Sequence, residues 1–165
     1  MKISTIIPAY NCEKYLRRAV ESLLATNDAD QEIVIVEDGS ADATLDVARA
    51  LQQEYSDIVQ LVTHPGGANR GVSATRNLGM EISTGELIAF LDADDFVHPH
   101  RFQSAREILA RSPDVDGVHQ LAGLEFANDD ARKAWWDDRQ TFGFETELHP
   151  ERLIRELLTG ACFHT

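Results

Sequence analysis

GELIAFLDADDF, residues 85–96, is the stretch on which the reading of this chain turns. Leu87 to Leu91 is an unbroken apolar run, with the length and character of a strand buried on both faces. It ends in three closely spaced carboxylates, Asp92, Asp94 and Asp95. If the strand's alternation continues, Asp92 and Asp94 project to one face and Ala93 to the other. Two unit charges about 4 Å apart repel by roughly 4 kcal/mol at an effective dielectric near 20. The carboxylates therefore need an offset: a divalent cation, hydroxyls to bond, or exposure to water. A solvated acidic turn meets that need as well as a ligand site does, so the neighbouring segments have to decide.

Upstream, apolar strands and amphipathic helices alternate. Ile3 to Ile7 reads as a buried strand closed by Pro8-Ala9-Tyr10-Asn11. Asn11 is suited to cap a helix over 12–26, whose apolar face carries Leu16, Ala19, Val20, Leu23 and Leu24. Ile33 to Val36 is a second strand, rich in β-branched residues and ending in Glu37-Asp38-Gly39-Ser40. Ser40 or Asp42 can cap the next helix, with Leu45, Ala48, Leu51 and Tyr55 on one side. A shorter strand, 58–62, precedes the glycine-rich loop HPGGANRG at 64–71. A helix over 72–83 then carries Arg76 and Asn77, with Gly85 just past its end, before the strand at 86–91.

Downstream, Pro99 marks a helix start, with Phe102, Ala105, Ile108 and Leu109 as its buried face. His98 and His100 are expected exposed at that start. Residues 115–126 read as strand and 128–144 as a surface excursion carrying Trp135 and Trp136. A last helix with Leu153, Ile154, Leu157 and Leu158 stops at Gly160.

The chain has 165 residues, a one-domain length, with 43% apolar and 26% charged residues. Its net charge of −13 argues against a nucleic-acid partner or an anionic membrane surface. A phosphate ligand stays compatible with that charge if a metal or a local arginine mediates. No apolar run approaches the ~18 residues of a membrane span. Cys12 and Cys162 stand far apart with no motif around them. A disulfide between them stays open, but a reduced, cytosolic chain is favoured.

Strand–helix alternation from 3 to 112 implies an α/β fold with a parallel sheet. Tyr10-Asn11, Glu37-Asp38-Ser40 and Asp92-Asp94-Asp95 each follow the carboxyl end of a strand. Parallel strands bring all three clusters to one sheet edge, where open α/β sheets bind ligands. Independent acidic turns have no need to converge, and this favours the ligand site.

STIIPAYN (4–11), IVEDGSADAT (35–44), NRGVSATRNLG (69–79) and GELIAFLDADD (85–95) together resemble the family 2 glycosyltransferases. The resemblance implies a GT-A fold, a Rossmann-like α/β/α sandwich around a central, mostly parallel sheet. It implies transfer of a sugar, with inversion, from a nucleoside diphosphate donor to a carbohydrate or lipid-linked acceptor. The location it implies is cytoplasmic, or peripheral to the inner membrane face. Residues 1–100 are expected to bind the nucleotide sugar and 101–165 to begin an incomplete acceptor part of the same domain.

Carried across by motif, Pro8, Ala9, Tyr10 and Asn11 would lie along the nucleotide, and Asp38 would accept the uracil N–H. Asn69, Arg76 and Asn77 would close over base and ribose. Asp92 would bond the ribose hydroxyls, next to Ala93, and Asp94 would hold Mg²⁺ or Mn²⁺ against the diphosphate. Glu37 stands where the family more often has Asp, in a supporting position. The general base matches no residue here and is expected beyond Thr165; Asp114, Asp116 and Glu125 fit no motif. Two other readings stay open. One is a nucleotide-sugar-binding module without turnover. The other is a nucleotidyltransferase, for which PAYNCEKYLRR lacks the glycines of a triphosphate loop.

Overall fold

Strand β1, Ile3–Ala9, is buried along nearly its whole length and forms the spine of the sheet. The structure is a computed structural model that describes residues 1–26, 28–112, 114–118 and 128–130. The chain divides into two compact units, Met1–Asp116 and Gly117–Thr165, and every element below lies in the first. After β1 come α1 (Leu16–Leu24), β2 (Gln31–Glu37), α2 (Thr44–Glu54), β3 (Val59–Thr63), α3 (Val72–Ile82), β4 (Leu87–Phe90) and α4 (Gln103–Arg111). Among the described residues no helix is long and apolar enough to cross a membrane.

The four strands are parallel in the order β3-β2-β1-β4. From β1 the chain steps outward to β2 and β3, then returns past both to lay β4 on the other side of β1. Right-handed crossovers put the helices of the outward steps on one face and the helix of the return step on the other. The packing agrees. Ile3, Ile7, Ile33 and Ile35 meet Leu16, Val20 and Leu23 of α1 and Ala48 and Leu51 of α2. Ile6, Val34 and Val36, on the opposite face, meet Leu78 and Ile82 of α3. The strand order therefore reverses at β1, which makes its carboxyl end the crevice of the sheet.

Several local expectations change. Strand β4 is not buried on both faces: Leu87 and Ala89 pack into the α1–α2 core, while Ile88 and Phe90 are 40% and 43% exposed. Helix α3 lies over β1 and β2, and among the described residues β4 pairs only with β1, so its α3-side face stays open. Helix α1 begins at Leu16, not residue 12, and Asn11 does not cap it, because Asn11 takes a left-handed turn (φ 49°) toward α2. Gly85 is not a left-handed cap. It sits where a Cβ would lie 2.4 Å from Ser4 Oγ, which accepts its N–H at 2.8 Å. Helix α4 starts after Phe102, which is buried, and within the helix no residue is fully buried; Ile108 is 43% exposed. Of the strand expected over 115–126, residues 115–118 are not strand and the rest lies outside the described residues. So do Trp135, Trp136, the final helix and nearly all of 128–144.

Candidate functional site

Side-chain parity assembles the site. On β1, β2 and β4 the even-numbered residues face α3, as Ile6, Val34 and Val36 do. The same register carried past the strand ends aims Pro8, Asp38 and Asp92 to that side, above the core and toward the start of α3. Leu91 and Ala93 fall on the other face, in the α1–α2 core. Asp92 and Ala93 therefore take opposite faces as expected, but the chain turns there, with Asp95 N–H donating to the Asp92 carbonyl at 3.0 Å, so the strand alternation does not continue to Asp94.

A cavity of about 650 Å³ opens there, within the usual range for ligand sites. Its walls come from four segments distant in sequence. Pro8 to Cys12 and Tyr15 follow β1, Asp38 follows β2, Asn69, Gly71, Val72, Thr75 and Arg76 open α3, and Asp92 to Asp94 follow β4. Every expected donor-site residue except Asn77 lines it; Asn77 is exposed on α3 and is not among the lining residues. Cys12, Tyr15, Gly71, Val72 and Thr75 were not anticipated. Val72, Thr75 and Arg76 recur at helical spacing, so once Arg76 is placed the same face of α3 brings in the other two.

The β1 and β2 ends are stitched to each other through side chains. Asn11 N–H donates to Ser40 Oγ at 3.1 Å, and Ala41 N–H returns a bond to Asn11 Oδ1 at 2.9 Å. Glu13 N–H donates to Asp42 Oδ2 at 3.2 Å, Ala43 N–H to Glu13 Oε2 at 2.9 Å, and Cys12 N–H to Thr44 Oγ1 at 2.7 Å. Asp42 also accepts Thr44 N–H at 3.0 Å, so Asn11 and Glu13 of the β1 loop serve amides just before α2 while Asp42 serves the helix's first amide. Glu37 is buried and accepts Ser40 N–H at 2.6 Å.

Asp38 holds the glycine-rich loop. It is 3% exposed and accepts Arg70 N–H on Oδ1 at 2.6 Å and Gly71 N–H on Oδ2 at 2.9 Å. Gly39 makes that approach possible. Its φ is +70°, and a Cβ there would lie 2.7 Å from both Asn69 N and Gly67 O.

The acidic turn finds a partner that its own sequence does not contain. Arg76 Nη2 donates to Asp92 Oδ1 at 2.6 Å, and the guanidinium lies 5.6 Å from the Phe90 ring centroid. Arg76 Nε is buried with no hydrogen-bond partner among the described residues. Asp94 and Asp95 are exposed. Desolvation, then the neighbouring Asp94 and Asp92 charges, push the Asp95 carboxyl above its ordinary value, so Arg76 relieves the repulsion only in part. His98 and His100 are exposed, as expected.

Among the described residues no three His, Cys, Asp or Glu side chains form a cluster able to hold a metal. One exposed carboxylate at a cavity mouth, Asp94, still suits a Mg²⁺-type ion, which keeps waters and takes its other ligands from phosphate. The donor set fits the ion when a diphosphate completes it.

The comparisons with known proteins bear on the family and the fold. The family model described as Glycosyl transferase family 2 matches residues 4–162. An uncharacterized glycosyltransferase of Nostoc sp. is 44% identical over 121 residues, 73% of this chain and 37% of that protein. Chondroitin synthase of Escherichia coli is 40% identical over 97 residues, 59% of this chain and 14% of that protein. The chain thus spans little more than a third of the first relative's length and less of the second's. Among solved structures, S. aureus TarS 1-349 in complex with UDP-GlcNAc superposes with a TM-score of 0.59 at 26% identity, over 73% of this chain and 37% of that one.

Proposed function

Since the chain belongs to glycosyl transferase family 2, we propose that its cavity binds a nucleoside diphosphate sugar, a UDP-sugar, for inverting transfer to an acceptor hydroxyl. The observation that carries this reading is the convergence of Tyr10, Asp38, Asn69, Arg76, Asp92 and Asp94, from four segments, around one cavity at the switch point of the sheet. The TarS structure with UDP-GlcNAc supports the choice of donor class.

In this reading Pro8 to Asn11 run along the nucleotide, and the half-exposed Tyr10 ring packs on the base. Asp38 accepts the base N–H with its remaining acceptor capacity. Asn69 and Arg76 close over base and ribose, with Asn77 behind them on α3. Asp92, oriented by Arg76, accepts the ribose hydroxyls beside Ala93. Asp94 would hold Mg²⁺ or Mn²⁺, which when bound neutralises charge on the departing diphosphate. The acceptor oxygen attacks the anomeric carbon from the side opposite the diphosphate, and a general base takes its proton. The lining carboxylates Asp38, Asp92 and Asp94 are all committed to the donor, and Asp114 and Asp116 are exposed and do not line the cavity. We assign the base to the acceptor side of the reaction, outside the donor-site carboxylates. The acceptor is carbohydrate or lipid-linked, and the reaction is cytoplasmic.

Calorimetric titration with UDP, UDP-sugars and ADP, in Mn²⁺ and in EDTA, tests the proposal. A good hydrogen bond to a charged group contributes roughly 1.5–3 kcal/mol, so UDP should bind at least about tenfold more tightly than ADP. Indistinguishable UDP and ADP affinities would sink the assignment of Asp38. Tight UDP-sugar binding without UDP release in single turnover would favour the second reading, a binding module.

A further inference from the structure

Asp92 and Asp94 are held in different ways. Asp92 is fixed through its side chain by Arg76, whereas the exposed Asp94 carboxylate has no hydrogen-bond or ion-pair partner among the described residues. Its place at the cavity mouth is therefore set by the backbone on either side. Upstream, Leu91 and Ala93 are buried in the α1–α2 core, and Asp95 N–H closes the turn on the Asp92 carbonyl at 3.0 Å. Downstream, the chain is strapped to helix α1. Val97 N–H donates to Ser22 Oγ at 3.0 Å, 75 positions back in the sequence, and the Val97 side chain packs against the same core. Ser22 donates its own hydrogen to the Ala19 carbonyl at 2.7 Å, which leaves its lone pairs for Val97. One helical turn earlier, the Arg18 guanidinium carbon lies 4.0 Å from the Phe96 ring centroid. His98 meets the same ring in a T-shaped contact, with 5.8 Å between centroids.

Ser22 and Arg18 do not line the cavity, and the buried face of α1 is made without them, by Leu16, Ala19, Val20 and Leu23. What they grip is the segment that leaves the acidic turn. A Mg²⁺-type ion tolerates little misplacement of its ligands, so the groups that support a lone carboxylate matter alongside the carboxylate itself.

We propose that Ser22 is a positioning residue of the donor site: by holding Val97 on α1 it fixes the backbone at Asp94, and so sets the strength of the metal-dependent part of nucleotide binding. The stacking of Arg18 on Phe96 reinforces the same strap. The inference rests on the donor-site reading above, in which Asp94 is the carboxylate for the metal. It gives helix α1 a part in a site that none of its side chains lines.

The test is calorimetric titration of the full chain with UDP, in Mn²⁺ and in EDTA, for the unmodified protein and for Ser22→Ala and Ser22→Thr. The readout is the ratio of the two affinities, and a thermal melt checks that each variant folds. Ser22→Ala removes the acceptor but keeps a good helix former, so the fold should hold while the ratio falls about threefold or more. Thr can make the same bond back to the preceding turn and still accept Val97 N–H. Ser22→Thr should therefore return the ratio to within about twofold of the unmodified value. In an Asp94→Ala background, Ser22→Ala should change UDP affinity no further, because the residue acts through Asp94. An unchanged ratio in Ser22→Ala overturns the proposal, and so does equal weakening in both media, since a bond that only supports the fold acts on both alike. Equal affinities in the two media for the unmodified chain overturn the metal reading of Asp94 itself, and this inference with it.

Discussion

Asp92 is where the acidic turn and helix α3 meet, and its pairing with Arg76 changes what that turn is for. Both side chains are about a third exposed, so the ion pair contributes only about 0.2–1 kcal/mol to stability. Its larger effect is geometric, because it holds one carboxylate still beside the cavity while Asp94, two positions on, stays free for a cation. Asp94→Ala should therefore abolish the metal-dependent part of UDP binding and move the unfolding free energy by no more than about 0.5 kcal/mol. Titration of both proteins with UDP in Mn²⁺ and in EDTA decides it; equal affinities in the two media for the unmodified chain would remove the metal from Asp94. The opposed directions of Asp92 and Ala93 could be read from strand alternation alone. The arginine could not, since it arrives from a helix 16 residues earlier, and only the docking of that helix brings it within 2.6 Å.

Helix α3 positions Thr75 and Arg76 by resting directly on β1. A Cβ at Gly79 would lie 2.4 Å from Ile6 Cγ2, on a buried β-branched side chain with little room to turn. Gly79→Ala gains about 1 kcal/mol of helix propensity, but overpacking a buried contact costs about 1–3 kcal/mol. The clash should win. We expect a net loss of up to about 2 kcal/mol in denaturant unfolding, with weaker UDP binding as the helix shifts off the sheet. An unchanged midpoint would mean that Ile6 yields. At this scale strand and helix order followed from periodicity, and helix starts did not. Asn11 looks like a cap for the helix after it, yet its carbonyl oxygen serves Ala41, because the loops after β1 and β2 lie side by side and exchange bonds.

At the scale of the molecule, the end of the sheet opposite the cavity is tied by one carboxylate. Glu32 accepts Lys2 Nζ at 2.5 Å, Ser4 Oγ at 2.6 Å, and Thr84 N–H and Oγ1 each at 2.6 Å, joining β1, β2 and the α3–β4 connection. Burial raises its pKa, but these donors outweigh burial and hold the carboxyl down at about 2. An unfolded glutamate titrates near ~4.3. The folded pKa is the lower one, so the stabilisation is fully present above about pH 4.3 and is lost as the pH falls toward 2. It amounts to roughly 3 kcal/mol. Glu32→Gln should lower stability at pH 7 and flatten its fall between about pH 4.5 and 2, while UDP affinity at neutral pH stays unchanged. Acid titrations followed by circular dichroism check this, and an identical acid profile in the variant would refute it.

Strand–helix alternation, the parallel sheet and the convergence of Tyr10, Asp38 and Asp92 on one edge were determined by the sequence itself. Each follows from a period of two or 3.6 residues and from the rule that parallel strands end on the same side. Four local motifs with ordered spacing were enough to mark the family, because backbone approach to a nucleotide demands particular residues at strand ends. Tertiary structure alone decided the rest. That β4 lies beside β1 with one face open among the described residues, that Arg76 answers Asp92, and that His64 and two backbone amides surround Asp38 all depend on how helix α3 and its loop settle on the sheet. The contacts of Asp92 and Asp38 join residues 16 to 33 positions apart, and no periodicity in a chain records which side chains meet across such a distance.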